Sequence, residues 1–151
     1  MILEWAAGLA ASPLSRALAA SAWAYPAANV AHLIGLLLAL GSVLVLDLRL
    51  LGAGRQLPFP GLSEALLPVI VAGFALMAAS GLVMALADPV TLARSPMLMP
   101  KFGLIALAAL NALALRRLGP RPHPARAARH ALASLLLWAG AVSAGRLIGY
   151  L

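Results

Sequence analysis

Hydrophobic positions run almost unbroken through "NVAHLIGLLLALGSVLVLDLRLLG" (29–52), and three later stretches repeat the pattern. A helix of about 20 mainly apolar residues crosses the hydrocarbon core of a bilayer. The chain therefore predicts four membrane spans, at about 26–51, 62–87, 99–117 and 127–150. Polar positions gather in the gaps. "GAGRQLPFPG" carries three glycines and two prolines, too many for a helix to continue. "DPVTLARSP" and "GPRPHPARAAR" read as the second and third loops. Pro26 suits the start of the first span. Glu64 is expected in the first turn of the second, where a carboxylate complements the helix dipole. Pro68 either kinks that helix or lies in its opening turns.

Residues 2–24 follow another rule. Ser12, Pro13 and Arg16 interrupt "MILEWAAGLAASPLSRALAASAW", and each half is too short to span. Trp5, Trp23 and Tyr25 suit the headgroup layer, where amphipathic rings are well placed. The expected fold is all-α: one domain, 1–151, an integral membrane four-helix bundle with an N-terminal interfacial helical segment.

Composition narrows the solvent. The chain is 64% hydrophobic and 10% charged, with a mean hydropathy of +1.00. A water-soluble domain of this size leaves too much surface exposed to hide that fraction. The net charge of +7 would suggest nucleic acid on a soluble protein. Here the basic residues sit between apolar segments without aromatic–basic motifs, so they read as topology signals and anionic-lipid contacts, and no nucleic-acid partner is expected. No cysteine is present, which removes disulfides and thiolate ligands. Glu4 and the missing basic n-region argue against a cleaved signal peptide.

Charge also orients the chain. Arg49, Arg55, Arg116, Arg117, Arg121, Arg126 and Arg129 flank the first and third loops, against Arg16, Arg94, Lys101 and Arg146 on the other side. Seven against four places the first group in the cytoplasm, and both termini outside, in the periplasm of a Gram-negative cell. The localisation expected is a bacterial inner membrane.

Ionisable groups at membrane depth cost about 2.5–3.5 kcal/mol on insertion scales and face the bundle interior with a partner. His32 lies roughly 9 Å inside the outer boundary at 1.5 Å per residue, with Asn29 one turn earlier on the same face. It is either a ligand or one end of an interhelical hydrogen bond, to Ser80 or Tyr150. Met84, with Met77 one heptad before it, and Met97 and Met99 of "SPMLMPK" approach the same rim. Imidazole and thioether together suit Cu(I), so His32, Met84, Met97 and Met99 form a candidate copper site. The alternative is that the methionines only fill gaps.

At the inner rim, Asp47 calls for a partner. Arg49 is two residues away on the same helix and does not face it. An arginine from the end of span three, with Asn111 alongside, is the expected match. Arg146 either snorkels or aims at Asp88 or an anionic ligand. Lys101 stands at a helix N-terminus, unfavourable for a cation, and so calls for an assigned partner. Haem is disfavoured: His32 and His130 differ in depth by about 15 Å in antiparallel spans, and His123 is worse placed. Ala141, Gly145 and Gly149, like Gly81 and Ala85, recur at four-residue spacing, which lets helices approach closely within one bundle or across a homodimer.

"WAYPAANVAHLIGLLLALGSVLVLDLRLLG", "LPVIVAGFALMAASGLVMALADP", "KFGLIALAALNAL" and "WAGAVSAGRLIGY" together resemble a bacterial four-span inner-membrane family, domain of unknown function 6644. That family is distantly similar to the membrane domain of copper-resistance D proteins. The resemblance covers nearly the whole chain and implies fold and location, with no established activity. Its pattern positions are His32, Asp47, Arg49, Lys101, Asn111 and Arg146. No nucleophile–base set, carboxylate pair or phosphate loop is present, so no enzyme is expected. The expected function is copper handling or small-solute transport through an outer polar pocket at His32. The alternatives are an accessory subunit of a larger membrane complex and a haem-binding electron carrier.

Overall fold

A computed structural model describes residues 1–119 and 123–150. Seven helices account for nearly all of them: α1 (Ile2–Ala10), α2 (Pro13–Ala20), α3 (Ala24–Leu50), α4 (Phe59–Ala87), α5 (Pro89–Arg94), α6 (Leu98–Arg117) and α7 (Pro124–Leu147). No strand occurs among the described residues. Three helices, α3, α4 and α6, are long and apolar enough to cross a membrane. At 1.5 Å per residue they measure about 40, 43 and 30 Å, against a hydrocarbon core of about 30 Å. At 24 residues α7 matches them in length, but Arg126, Arg129 and His130 dilute its first turns. Arg121 lies outside the described residues.

The interior is built from small side chains. Ala39, Ala108, Ala127, Ala131, Ala141 and Ala144 are buried, and the largest fully buried side chain is that of Ser15. Large aliphatic residues point outward instead: Leu37 is 70% and Leu136 73% exposed. In water this arrangement would forfeit about 25 cal/mol for every Å² of apolar surface left wet. In lipid nothing is forfeited, and helix contact rests on close backbone approach. The three long apolar helices and this inverted packing make the chain a helical membrane protein.

The long helices pair as two antiparallel hairpins. In the first, α3 and α4 touch at the backbone. A Cβ on Gly73 would lie 2.6 Å from the Ala39 nitrogen, and one on Gly35 2.7 Å from the Gly73 carbonyl. In the second, α6 packs along α7, with Leu104 against Gly140. The hairpins meet through α3 and α7, reinforced by the Phe74 and Trp138 rings 5.3 Å apart. The resulting order is α4–α3–α7–α6.

Loop chemistry fixes the ends. Gly52 and Gly54 adopt positive φ after α3, where a side chain is disfavoured. Arg49 closes this loop by donating to the carbonyls of Leu57 (2.7 Å) and Arg55 (3.1 Å). Helix α4 starts three residues earlier than the hydrophobic pattern suggests. It takes Pro60 and Gly61 into its first turn, so Glu64 is beyond that turn. Prolines fit there because the first N–H groups of a helix have no internal partner.

The second loop also holds a helix. Asp88 caps α5 by accepting the Thr91 N–H at 3.2 Å, with Pro89 at the first helical position. At the same end, the N-terminal segment is a broken pair, α1 and α2. Ser12 caps α2, α1 packs on α5, and α2 packs on α4. The Ser15 hydroxyl donates to the Leu86 carbonyl, one of the carbonyls a helix end leaves free. Trp5 and Trp23 remain exposed.

Gly73→Val should destabilise the α3–α4 hairpin by about 1–3 kcal/mol, because the obstacle is backbone and cannot move aside. Leu136→Ala should change stability by no more than about 0.5 kcal/mol. Unfolding of both variants in mixed detergent–SDS micelles measures the difference.

Candidate functional site

Two polar clusters interrupt the hydrocarbon, near opposite ends of the bundle. At the α1–α2–α5 end, His32 of α3 reaches Ser80 of α4, with Nδ1 3.1 Å from the hydroxyl oxygen. The Ser80 hydroxyl donates its proton to the Leu76 carbonyl at 2.6 Å. With that proton committed, the serine oxygen is free to accept from Nδ1, and in the tautomer that donates from Nδ1 the Nε2 atom keeps a lone pair. The interhelical bond expected for His32 is present, with Ser80 rather than Tyr150 as its partner. Gly81 makes room for it: a Cβ there would meet the imidazole at 3.4 Å.

Lys101 of α6 is half-buried. Its alkyl chain crosses Gly145 of α7, with Cε 3.5 Å and Nζ 3.7 Å from where a Cβ would stand. The ammonium is within electrostatic range of the His32 ring. Among the described residues no ion pair engages it; the ion pair present joins the N-terminus to Glu4 at 3.0 Å. Gly81 and Gly145, two of the small residues in the four-residue pattern, thus serve as seats for polar side chains from neighbouring helices.

Of the other predicted residues around this rim, Asn29, Arg146 and Met99 are exposed or engaged elsewhere. Asn29 is exposed. Arg146 donates to the Tyr150 hydroxyl at 2.8 Å and lies 5.0 Å from the ring centroid, so its partner is neither Asp88 nor a core group. Met84 sits one turn beyond Ser80 on α4, and Met97 one turn before Lys101. Met99, two residues from Lys101, lies on the far side of α6 and is 63% exposed. Met77, outside the proposed ligand set, packs against Gly35 beside His32.

The second cluster links α6, α7 and α3. Asn111 Nδ2 donates to the His130 carbonyl at 2.9 Å, and its Oδ1 accepts from His130 Nδ1 at 2.7 Å. Asp47, 5% exposed, faces α7 as well, with Ser134 its polar neighbour. The expected Asp47–arginine pair with Asn111 alongside is not formed among the described residues. The reason is topological: α7 lies between α3 and α6, so Asp47 and Asn111 approach it from different sides. Arg49, meanwhile, is occupied by loop carbonyls. His130 and Ser134, one helical turn apart, are the partners that sequence reasoning missed. The signal was their i, i+4 spacing on one face of α7.

Comparison of the chain with protein-family models, curated proteins and solved structures finds no match. Among the described residues no three His, Cys, Asp or Glu side chains converge as metal ligands.

A double-mutant cycle on Asn111→Ala and His130→Ala should give a coupling of about 0.6–1.7 kcal/mol, the range measured for interhelical hydrogen bonds in membranes. Unfolding in mixed micelles reads it out. A coupling near zero would show the bidentate bond to be energetically idle.

Proposed function

We propose that this chain is a four-span protein of a bacterial inner membrane, with both termini outside. In this reading it binds a small anionic or acceptor-bearing solute in an outer polar pocket at His32 and passes it across the bilayer. The fourth span is supported by α7 packing along both α3 and α6. The orientation rests on the arginine-rich first and third loops.

One observation carries the solute reading. His32, whose Nε2 keeps its lone pair, and the half-buried Lys101 share one end of the bundle, and no ion pair among the described residues engages the ammonium. An ammonium in such a place supplies three donors, and an imidazole nitrogen supplies an acceptor. A carboxylate or phosphate-like group with a hydroxyl beside it satisfies both. Copper handling, favoured by the resemblance to copper-resistance D proteins, is the weaker reading. A cation beside Lys101 meets like charge, and Met99 faces away.

Topology is testable because the chain has no cysteine of its own. With a membrane-impermeant thiol reagent on permeabilised-envelope cells, Ala11→Cys, Thr91→Cys and Tyr150→Cys should label from outside. Gln56→Cys and His123→Cys should label only after lysis. A shielded Tyr150→Cys would leave three spans.

Binding is tested by titrating purified protein with acetate, phosphate and Cu(I). An anion at 100 times its Kd should stabilise the fold by about 2.7 kcal/mol, and Lys101→Met should abolish the effect. Stabilisation by Cu(I) alone, lost in His32→Ala, would replace this reading with the copper one.

A further inference from the structure

We propose that Asp47 is a proton-binding carboxyl, set in the α3–α7 seam and reached from the lipid side. This inference is independent of the outer pocket. Asp47 is buried to 5% exposure, and its Oδ2 is the buried side-chain atom that finds no hydrogen-bond partner among the described residues.

The groups that would otherwise satisfy it are committed or turned away. On its own helix, Arg49 gives its donors to the carbonyls of Leu57 and Arg55. On α7, His130 Nδ1 is taken by Asn111, and Arg126 and Arg129 are exposed. Glu64 of α4 and Arg116 and Arg117 of α6 are exposed too. Ser134 supplies one hydroxyl.

The donor count selects the ligand. A hard metal cation takes about six oxygen ligands or more, and the seam offers one carboxyl and one hydroxyl. An anion is repelled by a carboxylate. A proton needs no cavity and no further ligands. It converts Oδ2 from an acceptor without a donor into a hydroxyl and removes the charge that lipid penalises.

The same seam provides access. An apolar groove of about 400 Å³ is lined by Leu40, Val43, Leu44, Leu135, Trp138 and Val142 among others, and Val43 and Leu44 are one helical turn from Asp47 on α3. Small apolar reagents dissolved in the bilayer can follow it.

Dicyclohexylcarbodiimide tests the site. The carboxyl proton passes to a reagent nitrogen while a carboxyl oxygen bonds the central carbon. The O-acylisourea then rearranges to an N-acylurea, so the protein gains one whole reagent and nothing leaves. Protein reconstituted in phospholipid vesicles at neutral pH should carry the adduct on Asp47 in preference to exposed Glu4, Glu64 and Asp88, as peptide mass spectrometry reads. Labelling should fall as pH rises and vanish in Asp47→Asn. A water-soluble carbodiimide should reverse the preference. Because the label is read on the wild-type chain, the result stands even where Asp47→Asn folds poorly. Asp47 labelled no faster than the exposed carboxyls by the hydrophobic reagent, or equally by both reagents, would overturn the proposal.

Discussion

The architecture depends on the contact where α3 and α4 meet without side chains between them. At Gly35 and Gly73, the latter against Ala39, the two backbones come so close that one more methyl group has nowhere to go. Lipid offers no hydrophobic reward for bringing helices together, since acyl chains are as apolar as leucine. What remains is van der Waals contact between surfaces that fit, and glycine and alanine allow the closest fit. This is why the core reads as a list of alanines and serines while the leucines line the outside. Each helix then displays to lipid the bulk that a soluble protein would bury.

That constraint also decides where polar groups can live. A thin, small-residue interior has little volume for a buried ion pair, and the described residues hold none. Polar side chains instead use the same close approaches. His32 lies over Gly81, and Lys101 over Gly145, each occupying the space a missing side chain leaves. The cluster at the other end works differently. Asn111 clasps both the backbone and the ring of His130, so one amide satisfies two groups on the neighbouring helix. Asp47 is the exception, with one oxygen unmatched.

Much of the fold was legible in the hydrophobic runs. The long helices fall within a few residues of their expected bounds, and the shifts have local causes. Pro60 and Gly61 look like helix breakers, yet both are tolerated in a first turn, where the backbone N–H groups are free anyway. The helix α5 is signalled by Asp88-Pro89 ahead of Thr91, a cap followed by a helix-starting proline, inside a stretch that otherwise reads as a loop. An interhelical bond from His32 was one of two readings, with Ser80 and Tyr150 as alternative partners, and Ser80 is the one present. The partner of Asn111 was not foreseen, because depth alone does not say which helix stands between two others. Hydropathy fixes how far along the membrane normal a residue sits. Neighbour order is set by packing in the plane, and sequence pattern carries little of that. The Gly35–Gly73 contact escaped for the same reason: spacing along each single helix gives no cue to a pair split between two.

The hydroxyl of Ser15 and the carbonyl of Leu86 are 71 residues apart in the chain, and this separation orders events during biosynthesis. Each long hairpin joins neighbours through a short connection, and such local partners find one another quickly. Helices α1 and α2 touch each other and α3, but the partner of the Ser15 hydroxyl lies far along the chain. Until the ribosome has delivered all of α4, the Leu86 carbonyl is not there to accept from Ser15. The clasp onto Leu86 therefore closes late, as a latch drawn over a pair of helices already in place.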